Sequence, residues 1–373
     1  MAQADPVPRS PNGGALSALT TGVGRIAVSI VVPLVAFIVL WQGFLFLRDS
    51  DANKGVIAGV AIVWGVGGVA AIYLIANWLI EKLPSGAKSK VLPFLFVGPA
   101  LAILAWYLLI PTIRTLVYSF MGPDSSNFIG FDNYIFAFTN SAMLEAIRNN
   151  VLWLVIGTGF STGFGLLVAI LAEHSRFGTL AKTLIFLPMA ISFVGAGIIW
   201  RFVYAAAPTG ETQIGLLNGI LGAFGLDPQP WVQLQPWNNL FLIIILIWSQ
   251  AGFAMVILAA ALRGVPDELR EAARIDGASE VQVYTRIVIP TIRPTIITVS
   301  TTIAILTLKI FDIVRTMTNG NFGTDVIATL QFNQMFRFFD NGRGSALAII
   351  LVIAVTPVIF YNLRQFARRE AFR

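Results

Sequence analysis

Eight apolar runs separated by short polar stretches make up most of the chain: Ile26–Leu47, Val56–Ile80, Val91–Ile113, Val151–Leu171, Leu184–Ala206, Leu240–Leu262, Pro294–Val314 and Ser345–Leu363. About 20 residues of helix cross the ~30 Å of bilayer hydrocarbon. A helix is also the form that satisfies its own backbone polar groups there. The pattern predicts an all-α polytopic membrane protein of about eight transmembrane helices, with both termini on one side. Residues 1–24 are rich in Pro, Gly, Ser and Thr without apolar periodicity, which predicts a disordered cytoplasmic tail. The first apolar run is too long for a signal-peptide core and reads as a retained span.

Composition strengthens this picture. The chain has 373 residues, 56% hydrophobic and 12% charged, where a soluble protein carries about a quarter of charged residues. There is no cysteine and one histidine, His174, so cysteine nucleophiles, thiolate zinc sites and histidine-based chemistry are excluded or disfavoured. The net charge of +6 needs no nucleic acid, because basic residues gather in alternate loops. Lys82, Lys88 and Lys90 lie in one, Arg176 and Lys182 in another, five arginines between residues 263 and 293, and Arg364, Arg368, Arg369 and Arg373 in the tail. The opposite segment 208–238 has no Lys or Arg. Excess positive charge marks the cytoplasmic side, so both termini and the 263–293 loop are expected there, at a bacterial plasma (inner) membrane.

That loop, Arg263 to Arg293, is the longest charged stretch between two apolar runs, and it has helical grammar. Pro266 suits a first turn. Asp267 and Glu268 follow where negative charge favours the helix dipole. Gly277 supplies a break. Ser279 with Gln282 reads as a capping box. Two short helices joined at a glycine elbow are predicted, with Pro290 ending or kinking the second. An ordinary amphipathic surface helix between two spans is the plainer reading of the same residues. Elsewhere, the repeats Gly55–Gly59 and Gly159–Gly163 allow close helix approach.

The residues Glu271-Ala272-Ala273, Asp276-Gly277-Ala278, Ile287 and Pro290 resemble the EAA loop of type I ATP-binding-cassette importer permeases. More of the chain agrees with the binding-protein-dependent carbohydrate transport family. A Gly-x-Asp-Asn-Tyr segment occurs at Gly130–Tyr134, and Thr318–Asp325 resembles the Thr-x-Gly-Gly-Pro turn of sugar permeases, with Asn321 and Phe322 in place of the second Gly and the Pro. The resemblance covers about residues 91–373, a six-span permease core. Residues 25–90, two extra N-terminal spans, are similar to those of the larger maltose-type (α-glucoside-type) permeases. The large folded insert of such permeases is absent.

The resemblance implies that Glu271, Ala272, Ala273, Arg274, Asp276, Gly277, Ala278 and Pro290 form a coupling helix seated on a cytoplasmic ATPase. It implies a second permease subunit as heterodimer partner, two ATP-binding cassette subunits and an extracytoplasmic sugar-binding protein. It implies sugar contacts in the sixth and seventh spans, where Ser249, Gln250, Phe253 and Thr307 occupy the matching positions; Trp248, Lys309 and Asp312, polar or aromatic residues in the same stretches, are candidates beside them. Aromatic faces and amide, hydroxyl or carboxylate groups are what a sugar ring and its hydroxyls bind. The structural alternatives are interhelical hydrogen bonds for Ser249, Gln250 and Thr307, and mutual neutralisation of Lys309 with Asp312, three apart on one helix face. Trp231 and Trp237 suit interfacial anchoring.

No Gly-x-x-x-x-Gly-Lys-Ser/Thr loop occurs. The chain is therefore read as a translocation subunit rather than an enzyme, with no cofactor of its own; ATP and Mg are expected on the partner ATPase subunits. The rival reading is an ion-coupled secondary transporter, against which stand the few charges within the spans, Arg201, Lys309 and Asp312. A membrane scaffold is the third.

Overall fold

A computed structural model of the chain describes residues 14–81, 85–173 and 175–370. Among these the secondary structure is helical, apart from one isolated bridge between Met121 and Phe128. The helices are α1 (Gly14–Asp49), α2 (Lys54–Glu81), α3 (Gly86–Tyr118), α4 (Asp132–Thr139), α5 (Ser141–Glu173), α6 (Gly178–Ala190) and α7 (Phe193–Val203). They continue as α8 (Leu216–Ala223), α9 (Asn238–Arg263), α10 (Asp267–Ile275), α11 (Glu280–Leu308), α12 (Asp312–Met317), α13 (Ile327–Phe336) and α14 (Asn341–Glu370). Seven stretches among them are long and apolar enough to cross a membrane, and α6 with α7 makes an eighth if the bent pair is one span.

Several expectations are corrected. Helix α1 begins at Gly14, so residues 14–24 are helical where a disordered tail was expected; residues 1–13 lie outside the described residues, as does His174. The fifth span, expected as one run from Leu184 to Ala206, is bent by 108° between α6 and α7. Pro188 lies in a tight turn at Leu187–Ala190, Ile191 is extended, and the Ser192 hydroxyl caps α7 by accepting from the Gly195 N–H at 3.1 Å. Hydropathy does not register such a bend, because every residue around it is compatible with hydrocarbon.

The second helix after the elbow is not short. It continues from Glu280 to Leu308 as α11, and Pro290 neither ends nor stops it. A wide π turn at Tyr284–Val288 precedes Pro290, as another at Ala105–Leu109 precedes Pro111. Proline leaves the carbonyl four residues back without its usual donor. A local change of helical pitch re-pairs the backbone ahead of it.

The chain divides into two compact units, Met1–Pro111 and Thr112–Arg373. In the first, the Trp64 indole N–H donates to the Leu40 carbonyl at 2.9 Å, and its ring fills the space beside Gly43. In the second, α9 is the central span, with over half of its apolar window buried. It divides the packing into an inner layer, on the side of the 263–293 loop, around Leu258, Leu262, Val283, Val288 and Ile292 and an outer layer, on the opposite side, around Trp153, Leu242, Leu246, Ile313 and Val326. Close approach of α5 to α9 depends on Gly165, where a Cβ would meet Ala254 and the Ala251 carbonyl. Gly159 and Gly163 face open space, so the expected glycine repeat does not serve packing within this unit.

Candidate functional site

The elbow is the most completely built feature at the inner ends of the spans. Pro266 is the N-cap of α10 rather than its first residue, and Asp267 and Glu268 occupy the first turn. At the other end the Ala278 N–H returns to the Ala273 carbonyl and the Gly277 N–H to the Arg274 carbonyl, both at 3.0 Å. This double closure requires a residue in the left-handed region, and Gly277 supplies it at φ +81°. The capping box forms as read from sequence. The Gln282 side chain accepts from the Ser279 N–H at 2.8 Å, and the Ser279 hydroxyl from the Gln282 N–H at 3.4 Å.

The residues of the motif divide by direction. Ala273 is buried in the inner layer, and Ala278 packs at its edge. Glu271, Ala272, Asp276 and Pro290 are exposed, and so is Ile275, at 85%. Arg274 does not stand free for a partner. Its Nε and Nη2 donate to the two carboxylate oxygens of Glu280 at 2.7 and 3.1 Å, a two-pronged bridge across the elbow. Glu280 beside Arg274 raises the arginine pKa still further above its ordinary value.

Arg270, which sequence reasoning passed over, points the other way. Its side chain is 11% exposed, donates from Nη2 to the Leu262 carbonyl at 2.8 Å and lies 3.5 Å from Glu173 at the end of α5. The signal available in the sequence was its place two residues before Ala272, one turn from the face that carries Ala273.

The predicted sugar residues fare unequally. The Ser249 hydroxyl donates to the Ile245 carbonyl at 2.9 Å and the Thr307 hydroxyl to the Ile303 carbonyl at 2.8 Å. Both are buried, and each bond stays within its own helix, a common way for an apolar helix to absorb a hydroxyl. Neither bond is interhelical. Gln250 is 8% exposed, and its amide has no hydrogen-bond partner among the described residues. Phe253 packs against the inner layer, and Trp248 against the outer one, with its ring edge-on to Trp200 at 5.8 Å. Lys309 and Asp312 are not on one helix face, because α11 ends at Leu308 and α12 starts at Asp312. No ion pair joins them among the described residues; Lys309 is exposed and Asp312 half-buried.

The bend in the fifth span lies against the same stretch of α9. At Gly252 a Cβ would collide with the Ile185 carbonyl, so α9 and α6 touch through their backbones two residues from Gln250. Broken helices at membrane depth are tolerated where freed backbone groups are buried in protein or line a cavity, and in transporters they mark binding regions.

A second polar system holds the outer turn Thr318–Asp325. Asn149 donates to the carbonyls of Gly323 and Asp325 at 2.9 and 2.8 Å. Asn239 accepts from the Trp153 indole at 3.2 Å and reaches the Gly323 carbonyl at the same distance. The Phe322 carbonyl accepts from Gln235 and from Asn238, both at 2.7 Å. Asn150 donates to the Leu308 carbonyl and accepts from the Ile327 N–H. Phe322 sits at φ +62°, which proline cannot adopt, so the turn is built differently from the Thr-x-Gly-Gly-Pro form. The adjacent asparagines at 149–150 and 238–239, each near the start of a span, were the sequence signal. Asp325, beside this turn, is pushed up by burial and by the nearby Glu145 carboxylate, against the lowering effect of its hydrogen bond from Thr329 and of Arg315.

Comparison with known proteins identifies the family. The family pattern described as "Binding-protein-dependent transport system inner membrane component" matches residues 161–370. The osmoprotective compounds uptake permease GgtC of Synechocystis sp. is 51% identical over 279 residues, covering 75% of this chain and 100% of the relative. The alpha-glucoside transport system permease AglF of Rhizobium meliloti is 44% identical over 326 residues, covering 85% and 95%. Among solved structures, a chain of a bacterial alginate ABC transporter, in complex with alginate pentasaccharide-bound periplasmic protein, superposes with a TM-score of 0.65 at 22% identity, covering 75% of this chain and 96% of that one. The chain belongs to the family of inner-membrane components of binding-protein-dependent transport systems: permease subunits, which translocate and are not themselves enzymes.

Proposed function

We propose that this chain is one permease half of an ATP-driven importer for an α-glucoside or a related di- or oligosaccharide. It pairs with a second permease, two ATPase subunits that bind ATP and Mg, and an extracytoplasmic sugar-binding protein. The observation that carries the reading is the elbow: a locally closed helix whose outward face, Glu271, Ala272, Ile275 and Asp276, has no cover among the described residues. An isoleucine 85% exposed among charged neighbours fits a protein socket better than water. The basic loops support a cytoplasmic elbow and cytoplasmic termini. Relatives named for alpha-glucosides and osmoprotective compounds support the substrate class.

Within the spans, Gln250 is the group we assign to the sugar, with Trp248 and Phe253 supplying apolar faces beside it. Ser249 and Thr307 support that wall from behind, their hydroxyl protons already engaged. Lys309 and Asp312 stand at the break above α11, where an entering sugar passes. ATP-driven closure of the ATPases moves the elbow and biases the spans between inward- and outward-open states.

The test is uptake of radiolabelled maltose into proteoliposomes holding the complete complex with its binding protein. Uptake requiring ATP, with Ile275→Glu releasing the ATPase on co-purification, is expected. Uptake driven by an ion gradient without ATP overturns the reading in favour of a secondary transporter.

A further inference from the structure

We infer that Arg270 is a positioning residue that locks the elbow to the two most closely packed spans, so that the motor's displacement enters the membrane through α5 and α9. This inference rests on the importer reading above.

Three routes connect α10 to the spans. Two are covalent: the short link 264–266 back to α9, and the capping box onward into α11. The onward route passes the π turn at Tyr284–Val288, a local widening of the helix with less regular hydrogen bonding than a uniform α-helix. The third is Arg270. Its Nη2 donates to the carbonyl of Leu262 in the last turn of α9, and its Nη1 lies 3.5 Å from Glu173 Oε1, at the last residue of α5. A third, longer approach is 3.8 Å to Asp267 within α10 itself. The last carbonyls of a helix have no partner within it, and a cation there also meets the negative end of the helix dipole. One guanidinium thus serves both helix ends.

The surroundings hold this strut in place. The Arg270 side chain is 11% exposed and that of Glu173 24%. Arg270 Nε and Glu173 Oε2 are buried and have no hydrogen-bond partner among the described residues. These groups give up hydrogen bonds that free side chains would make to water. Fixed geometry between α10 and the spans explains why they stay. Gly165 brings α5 into backbone contact with α9, so α5, α9 and α10 form one block. That block carries Gln250 and rests through Gly252 on the bent span.

The test uses the complete complex in proteoliposomes, with maltose as probe, and measures uptake and ATP hydrolysis together. Arg270→Met, which keeps the stem, is expected to lower maltose moved per ATP by about fivefold. Arg270→Lys, able to reach the Leu262 carbonyl but not to fork, is expected to lower it less. A role confined to stability lowers both rates and leaves their ratio in place, and an unchanged ratio overturns the inference. If Arg270→Met fails to assemble, the chain's lack of cysteine allows Glu173→Cys with Arg270→Cys, joined by a short bismaleimide. The linked complex is expected to keep the native ratio. Arrest of uptake on linking means that elbow and span separate during the cycle, and overturns the inference. Uptake that ignores ATP in the native complex is a different outcome and sinks the importer reading instead.

Discussion

The elbow after α9 and the outer turn before α13 are both polar breaks between spans, yet they are held in opposite ways. The elbow closes on itself. Apart from Arg270, its hydrogen bonds join residues three to five apart, and its Arg274–Glu280 ion pair joins residues six apart. The outer turn is fastened from a distance, by asparagines 84 to 176 residues away in sequence. A locally closed element keeps its own shape, whatever displacement it passes to the spans through Arg270. An element pinned to the starts of α5 and α9 moves only with them. The contrast suits a part that receives force and a part that anchors the other end of the same spans.

Breaking the distant fastening should cost most. Proline at 322 cannot adopt the observed backbone, so Phe322→Pro is expected to destabilise by about 3 kcal/mol or more, read as a fall in the unfolding temperature of the purified complex. Asn149→Ala removes the Asn149 donor from the half-buried carbonyls of Gly323, which keeps Asn239, and of Asp325, and should cost about 2 kcal/mol, with the outer turn becoming cleavable by added protease. The elbow should respond more mildly. Nothing lies within 4 Å of a Cβ built on Gly277, so Gly277→Ala meets only the backbone penalty, about 1–2 kcal/mol, seen as faster hydrogen exchange in α10. Ser279→Ala removes one cap bond and should cost about 1 kcal/mol by the same measurement. Equal effects in the two regions would erase the comparison.

The smallest expected effect is a pH dependence confined to the outer turn. Asp325 has its pKa raised, chiefly by burial. An acid raised in the folded state binds more protons folded than unfolded. Its contribution is fully present below the ordinary carboxylate value, about 4, and is lost as pH rises through the folded pKa. Hydrogen exchange of Thr318–Asp325 should therefore slow modestly as pH falls across that window, beyond the intrinsic rate change, and Asp325→Asn should abolish the difference.

The spans, the elbow, its glycine and its capping box were all legible in the sequence, because each depends on residues within a few positions of one another or on the mean polarity of a run. Gly277 needs only its own φ, and Ser279 needs only Gln282. What failed was whatever depended on a neighbour far along the chain. Lys309 and Asp312 have the spacing of a helical pair, but α11 ends between them. Pro290 reads as an end or a kink, and the helix instead runs on through it to Leu308 after a π turn. Arg274 reads as a charge offered to a partner, and within the chain it is already bridged to Glu280. Gln250, Ser249 and Thr307 look alike as polar residues in apolar runs. Two of them are satisfied by their own helix, and one is left open.

The sequence by itself therefore determined that the chain spans a membrane many times, and where its charged elbow lies, since hydrocarbon sorts residues by polarity wherever they fall. Tertiary structure alone decided that the fifth span bends against α9, that three asparagines grip the outer turn and that Arg270 reaches two helix ends. Hydrogen-bond direction and backbone approach depend on distances that no one-dimensional pattern contains.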